Sequence, residues 1–110
     1  MKDDFSLLSH ILDSIKRIEK YVEVGEKAFL VDTMVQDAVI RNFEVIGEAV
    51  KNLSDGLRDR SPTVPWKQIS GMRDFLIHVY FGVKLETVWE TVQDLPELRR
   101  VVEAELSALS

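Results

Sequence analysis

The amino-acid sequence predicts an all-α protein, a bundle of four or five antiparallel helices that forms one domain over residues 1–110. Apolar side chains recur at steps of three and four residues along most of the chain, which is the period of one helix face. No alternating pattern of useful length predicts a strand, and only eight of the 110 residues are glycine or proline. The length and a hydrophobic content of 45% suffice for a single core.

The first helix is predicted from about Ser6 to Val24. Gly25 fits its end, because glycine is common where a helix stops. The prediction rests on an amphipathic stripe with the helical period, formed by Leu8, Ile11, Leu12, Ile15, Ile18 and Val22.

A second helix is predicted to begin at Asp32 or Thr33, where Thr33 and Gln36 have the spacing of a capping box. It is expected to end at the turn signal "SDG", residues 54–56. One amide, Asn42, lies inside its stripe, which consists of Val35, Val39, Asn42, Ile46, Ala49 and Leu53. Two interpretations of Asn42 stay open: a buried side chain satisfied by a hydrogen bond, or a supporting residue of a functional site.

The second half of the chain begins with a predicted loop, "RSPTVP" at residues 60–65, because two prolines so close together prevent a continuous helix. Pro65 is expected to open a short helical turn that leads into residues 71–82. A last amphipathic stretch is interrupted at Pro96, where Leu95-Pro96 predicts a fresh helix start. Its apolar positions are Leu85, Val88, Val92, Leu95, Leu98, Val101, Val102, Leu106 and Leu109.

The composition excludes several classes of protein. There is no cysteine, so disulfides, thiolate metal sites and a cysteine nucleophile are ruled out. The N-terminal stretch is acidic at once and has no continuous apolar core, so no signal peptide is predicted. No apolar run approaches the roughly 18 residues that a membrane span needs. The expected location is therefore the cytoplasm, without a membrane partner.

The charge is unevenly distributed along the chain. A net charge of −5 would by itself argue against a nucleic-acid partner. Residues 58–84, however, contain five cations and two anions, a local charge of +3, which leaves −8 for the rest. The basic part therefore surrounds the segment at residues 71–82.

No metal and no other cofactor is predicted. Ferritin-like bundles use pairs in which a glutamate lies three residues before a histidine, but here Leu7 and Phe75 precede His10 and His78 at that distance. A glycine-rich phosphate loop is absent as well. His10 lies about 200° around the predicted helix from Leu8, away from the apolar stripe, and is expected to be exposed and without a role.

The segment "GMRDFLIHVYFG", residues 71–82, is apolar enough for a core yet contains Arg73, Asp74 and His78. On a regular helix Asp74 and His78 share a face, whereas Arg73 and His78 lie about 7.5 Å apart along the axis and about 140° apart around it. One interpretation is a core helix with a snorkelling arginine and a histidine satisfied by Asp74. The other is a site in which histidine transfers protons and arginine binds phosphate, as metal-free RNA cleavage requires. A symmetric dimer would then supply the second copy of each group.

The spacing Arg73-x-x-x-x-His78-x-Tyr80 and its flanking blocks resemble the HEPN-domain toxins of the HepT type. The flanking blocks are "QDAVIRNFEVIGEAVKNLS", "PWKQISGMRD" and "YFGVKLETVWETVQDLPEL". The resemblance covers nearly the whole chain, from "ILDSI" to "DLPEL".

The resemblance implies an all-α bundle that dimerises across the motif helices and forms a composite cleft. It implies a metal-independent endoribonuclease with Arg73 and His78 as the catalytic pair. It also implies a partner, an MntA-type nucleotidyltransferase antitoxin, that transfers AMP from ATP to Tyr80. Each added nucleotide would place negative phosphate where the substrate phosphate must bind.

Two positions depart from the family pattern: Asp74 stands where many relatives have asparagine, and Lys84 where many have aspartate. Asp74 could weaken the hold of Arg73 on phosphate or could support His78. Two other functions stay open beside the nuclease. One is a non-catalytic HEPN subunit that docks a nucleotidyltransferase, and the other is a purely structural helical oligomer in which Arg73 and His78 are dispensable.

Overall fold

The regular elements of the structure are helices. A computed structural model of the chain describes residues 3–71 and 84–110. In chain order the helices are α1 (Asp4–Tyr21), α2 (Glu26–Val31), α3 (Thr33–Lys51), α4 (Asp55–Arg60), α5 (66–71), α6 (Leu85–Val92) and α7 (Leu95–Leu109). No strand occurs in these two ranges, which confirms the predicted all-α class.

The first helix begins two residues before its predicted start and ends three residues before its predicted end. The Asp3 carboxylate accepts the Ser6 backbone N–H at 2.7 Å and caps α1, which therefore begins before the apolar stripe does. The final predicted residues form a single 3₁₀ turn, Val22–Val24. Gly25 follows at φ 92°, a conformation that only glycine adopts without strain.

The second predicted helix is α3, and its capping differs from the prediction. Asp32 Oδ1 accepts the backbone N–H groups of Met34 and Val35 at 3.0 and 3.3 Å, so Asp32 is the cap rather than Thr33. The predicted capping box is wrong for a further reason. The Gln36 side chain donates instead to the Phe29 carbonyl at 2.9 Å, and this bond ties α3 to α2.

Two short helices, α2 and α4, were not predicted. The "SDG" signal does follow the end of α3, but it opens α4: the Ser54 hydroxyl accepts the Leu57 backbone N–H at 3.2 Å. The carboxylate of Asp4 accepts both the backbone N–H and the hydroxyl of Ser54, which fixes the starts of α1 and α4 to each other.

The remaining connections follow the sequence prediction, except that Arg60 of the predicted loop 60–65 is the last residue of α4. Residues 61–65 form a non-helical link, and α5 starts directly after Pro65. The last amphipathic stretch divides into α6 and α7, with Pro96 in the first turn of α7, where a missing N–H costs nothing.

The core lies where α1 packs against α3 and α7, and α2 packs against α3 and α6. Phe29 on α2 meets Trp89 on α6 with ring centroids 5.3 Å apart. Each fully buried aliphatic side chain contributes about 1.5–3 kcal/mol. Those with no exposed surface are Leu8, Ile11, Ile15, Ile18, Val39, Ile46, Val50, Leu57 and Val102.

Candidate functional site

The four motif residues Arg73, Asp74, His78 and Tyr80 lie outside the described ranges, 3–71 and 84–110. Their proposed roles therefore stay predictions. The structure describes the segments on both sides, which are α5 up to Gly71 and the chain from Lys84 into α6.

Asn42 is the one predicted site residue whose surroundings are described. It lies in α3, is 7% exposed, and donates its side-chain amide to the Ala38 carbonyl at 2.8 Å, one turn earlier. Because a buried amide is costly without a partner, this local bond is enough to account for Asn42 inside the apolar stripe. The geometry agrees with the structural interpretation, and a supporting role in catalysis stays a prediction.

Trp66 anchors the start of α5, the helix that precedes the motif. Its indole Nε1 donates to the Ser61 carbonyl at 3.0 Å, and its side chain is 7% exposed. The Ile69 backbone N–H donates to the Pro65 carbonyl at 3.0 Å and closes the first turn of α5. The chain therefore enters the motif from a fixed turn whose aromatic anchor points inward, whereas Lys67 points to solvent.

A groove of about 680 Å³ opens beside this turn, between α3, α5 and the start of α7. Its floor is apolar, with Phe43, Ile46 and Leu98 among the residues that form it. Asp94 and Glu97 contribute carboxylates to its edge. Of these two carboxylates, that of Glu97 is paired with the Arg100 guanidinium at 2.6 Å.

The positive charge that the sequence places around the motif is partly neutralised in the fold. Arg58 pairs with Asp55 at 2.5 Å, and Arg60 pairs with Glu105 of α7 at 2.8 Å. The hydrogen bond to Glu105 raises the pKa of the Arg60 guanidinium. The first pair follows the i,i+3 spacing and was visible in the sequence, whereas the second joins residues 45 apart and was not.

Lys67 and Lys84 are the other described cations of the basic stretch. Both side chains are exposed, and neither forms an ion pair within the described part of the chain. In the sequence these two lysines contribute to the local positive charge in the same way as Arg58 and Arg60. Only the fold shows that the two arginines form ion pairs and that the two lysines do not, within the described residues.

Two further features concern metal and membrane. Across residues 3–71 and 84–110, no three side chains of the metal-binding types His, Cys, Asp and Glu gather into a group that could hold an ion. His10 is exposed on α1. A helix with the length and apolarity for a bilayer crossing is not found in the described ranges.

Comparison with known proteins places the chain in a family. The family model described as "Ribonuclease HepT-like" matches residues 11–105. A protein of Caldanaerobacter subterraneus subsp. tengcongensis, named as a candidate RNase, is 43% identical over 104 residues, covering 93% of both chains. A probable ribonuclease HepT of Thermococcus cleftensis is 43% identical over 94 residues, covering 84% of this chain and 86% of the relative.

A longer relative comes from Methanocaldococcus jannaschii and is named as a gamma-glutamylcyclotransferase and candidate RNase. It is 46% identical over 103 residues, which is 92% of this chain but only 46% of the relative, so the chain spans less than half of that protein. No solved structure matches the chain. The family model and the relatives that align over nearly their full length agree: the chain belongs to the HepT-like ribonuclease family.

Proposed function

We propose that the chain is the toxin of a toxin–antitoxin pair, a metal-independent endoribonuclease that acts in the cytoplasm. The observation that carries the proposal is the spacing Arg73-x-x-x-x-His78-x-Tyr80 within a chain of the HepT-like ribonuclease family. An RNA substrate follows from the family and from the names of its relatives.

The proposed reaction is transfer of a phosphodiester within the RNA strand. A histidine accepts the proton of a 2′-hydroxyl, the freed oxygen attacks the adjacent phosphorus, and the bond to the 5′-oxygen breaks. A second proton donor supplies the leaving 5′-oxygen, so the products are a 2′,3′-cyclic phosphate and a 5′-hydroxyl. In this scheme His78 is the acid–base group, and the guanidinium of Arg73 stabilises the crowded phosphorane.

This chemistry needs two proton-transfer groups, and the motif has one histidine per chain. A symmetric homodimer across the motif helices supplies the second copy. On a regular helix Arg73 and His78 would lie about 140° apart, and a shared site removes this difficulty because the two residues then need not come from the same chain. A chain that sediments as a monomer at micromolar concentration would contradict the composite site.

Asp74 and Asn42 have supporting roles in the proposal. Asp74 lies four residues before His78, at the spacing where its carboxylate orients the imidazole and stabilises the imidazolium. Asn42 is buried on α3, where its bond to Ala38 leaves it as a positioning residue at most.

The proposed regulator is an MntA-type nucleotidyltransferase antitoxin. The Tyr80 hydroxyl attacks the α-phosphorus of ATP, its proton leaves to a base, and pyrophosphate departs, which leaves AMP on the tyrosine. The new phosphodiester adds negative charge two residues from His78, where it repels and blocks the substrate phosphate.

Growth after induced expression tests the proposal. The wild-type chain is compared with Arg73→Ala and His78→Ala at matched protein levels. Arrest by the wild type and growth with both variants supports catalytic toxicity. Equal growth of all three rejects the nuclease toxin.

A second function is favoured by the acidity of the chain. The net charge of −5, the aspartate at position 74 and the ion pairs of Arg58 and Arg60 all reduce attraction for RNA. A non-catalytic HEPN subunit that docks a nucleotidyltransferase would tolerate these features. This second function predicts that the chain forms a stable complex with the neighbour-encoded nucleotidyltransferase and does not cleave RNA. The substitutions Arg73→Ala and His78→Ala should leave the stability of that complex unchanged.

A further inference from the structure

The stretch that leads into the motif contains a single charged side chain. From Ser61 to Gly71 the only ionisable residue is Lys67, in a chain with a net charge of −5. Trp66 is anchored inward by its bond to Ser61, so the adjacent Lys67 projects from the start of α5 into solvent. Along the chain no carboxylate lies within six residues of Lys67, the nearest being those of Asp59 and Asp74.

The stretch that leaves the motif has a similar cation. Lys84 is the N-cap residue of α6, and its carbonyl accepts the Thr87 and Val88 backbone N–H groups at 3.0 and 3.2 Å. α6 is held in the bundle by Val88 and Val92, both buried. The backbone of Lys84 is thus fixed while its side chain is exposed.

The nearest cations before Lys67 are engaged elsewhere. Arg58 and Arg60 each hold a carboxylate, which offsets part of the positive charge that they present to a phosphate. Lys67 and Lys84 have no such partner in the described part of the chain. Because non-specific affinity for RNA depends on the number of phosphates neutralised, free cations rather than the total charge determine it.

We propose that Lys67 and Lys84 bind RNA phosphates on either side of the motif, six residues before Arg73 and six residues after His78. They set the affinity for the strand and take no part in the chemical step. The inference rests on the proposed nuclease function.

The test removes both charges by Lys67→Gln together with Lys84→Gln. The matched control is Lys16→Gln with Lys20→Gln, which removes two exposed cations from α1 and gives the same net charge. The probe is a fluorescent single-stranded RNA of mixed sequence, titrated between about 50 and 200 mM salt in a His78→Ala background that leaves the RNA intact. The turnover number, kcat, is measured with His78 restored, and far-ultraviolet circular dichroism checks that the helices remain.

In the Lys67/Lys84 variant, Kd should rise about 10- to 30-fold near 0.1 M salt, because each lost phosphate contact lowers the log–log salt slope by about 0.7. The value of kcat at saturating RNA should stay unchanged, and the Lys16/Lys20 control should keep the wild-type slope. If both double variants show the same slope, the inference is overturned while the nuclease stands. A wild-type chain that neither binds nor cleaves RNA overturns the proposed function and the inference together.

Discussion

Asp4 and Ser54, fifty residues apart, are joined by two hydrogen bonds: Asp4 accepts the Ser54 backbone N–H at 2.9 Å and the Ser54 hydroxyl at 2.6 Å. The same hydroxyl accepts the Leu57 N–H and caps α4. One carboxylate thus connects the first turn of α1 to the start of α4.

Removing this connection should destabilise the fold. Asp4→Ala and Ser54→Ala are each expected to lower the free energy of unfolding by about 1 kcal/mol, because a cap or a hydrogen bond of this kind has that value. The double variant should cost less than the sum, since either change already breaks the pair. Urea unfolding measures all three, and full additivity would show that the two residues act independently.

A core substitution should cost more. Ile15 on α1 has no exposed surface, so Ile15→Ala leaves a cavity and is expected to lower the free energy of unfolding by about 2–5 kcal/mol. Leu109, which is 45% exposed at the end of α7, is the control, and Leu109→Ala should change stability little. Similar losses for both variants would contradict the packing described for α1.

The acid side of the stability curve should depend on Asp3. The Ser6 backbone N–H that this carboxylate accepts holds the pKa of Asp3 below its usual value of 3.8. A carboxyl group with a lower pKa in the folded state stabilises the fold above its unfolded pKa and loses that effect as the pH falls through the folded value. The stability difference between wild type and Asp3→Ala should therefore be largest near neutral pH and shrink below 3.8.

Urea unfolding across this pH range measures that difference. Asp13→Ala is the matched control, because Asp13 is an exposed aspartate in the middle of α1 and away from its cap. If the difference in the free energy of unfolding between wild type and Asp3→Ala stays constant down to acid pH, the charge of the Asp3 carboxylate does not stabilise the helix.

The two histidines should differ in their effect on RNA cleavage. His78→Ala is expected to lower the rate about 10²- to 10⁴-fold, the usual contribution of an acid–base group. His10, exposed on α1, is the matched control, and His10→Ala should retain the wild-type rate. An unchanged rate in His78→Ala would exclude His78 from the mechanism.

Replacing Tyr80 should abolish regulation by the antitoxin without changing RNA cleavage. Tyr80→Phe is expected to cleave RNA like the wild type, because the phenol oxygen has no part in the proposed reaction, and to escape AMP transfer by the antitoxin. Mass spectrometry of the chain co-expressed with the nucleotidyltransferase detects the added AMP. Tyr21→Phe removes the other tyrosine hydroxyl and should still be modified. If the antitoxin silences Tyr80→Phe as well, modification at Tyr80 is not the switch.

The long helices were predictable because their signals are local. The stripe of α1, its end at Gly25 and the start of α7 around Pro96 all depend on residues within a few positions of one another. The family resemblance likewise came from spacing within the sequence, and the family match bears it out. The arrangement of Arg73, His78 and Tyr80 lies outside the described residues and stays a prediction.

The short helices were missed because six residues carry too little periodicity and do not form a stable helix alone. In α2 the buried Phe29 packs on Trp89, and in α4 the buried Leu57 and the Ser54 cap stabilise a turn that looked like a simple stop. Tertiary contacts of this kind override a weak local preference.

The sequence by itself determined the helical class, the limits of α1 and α3 to within about three residues, the family and the motif residues that the proposed nuclease depends on. Only the tertiary structure decided which cations around the motif are free. Arg60 is neutralised by Glu105 from the far end of the chain, whereas Lys67 has no ion-pair partner among the described residues. The physical reason is that a helix face is set by neighbours three and four residues away, while an ion pair between distant residues exists only once the helices have packed.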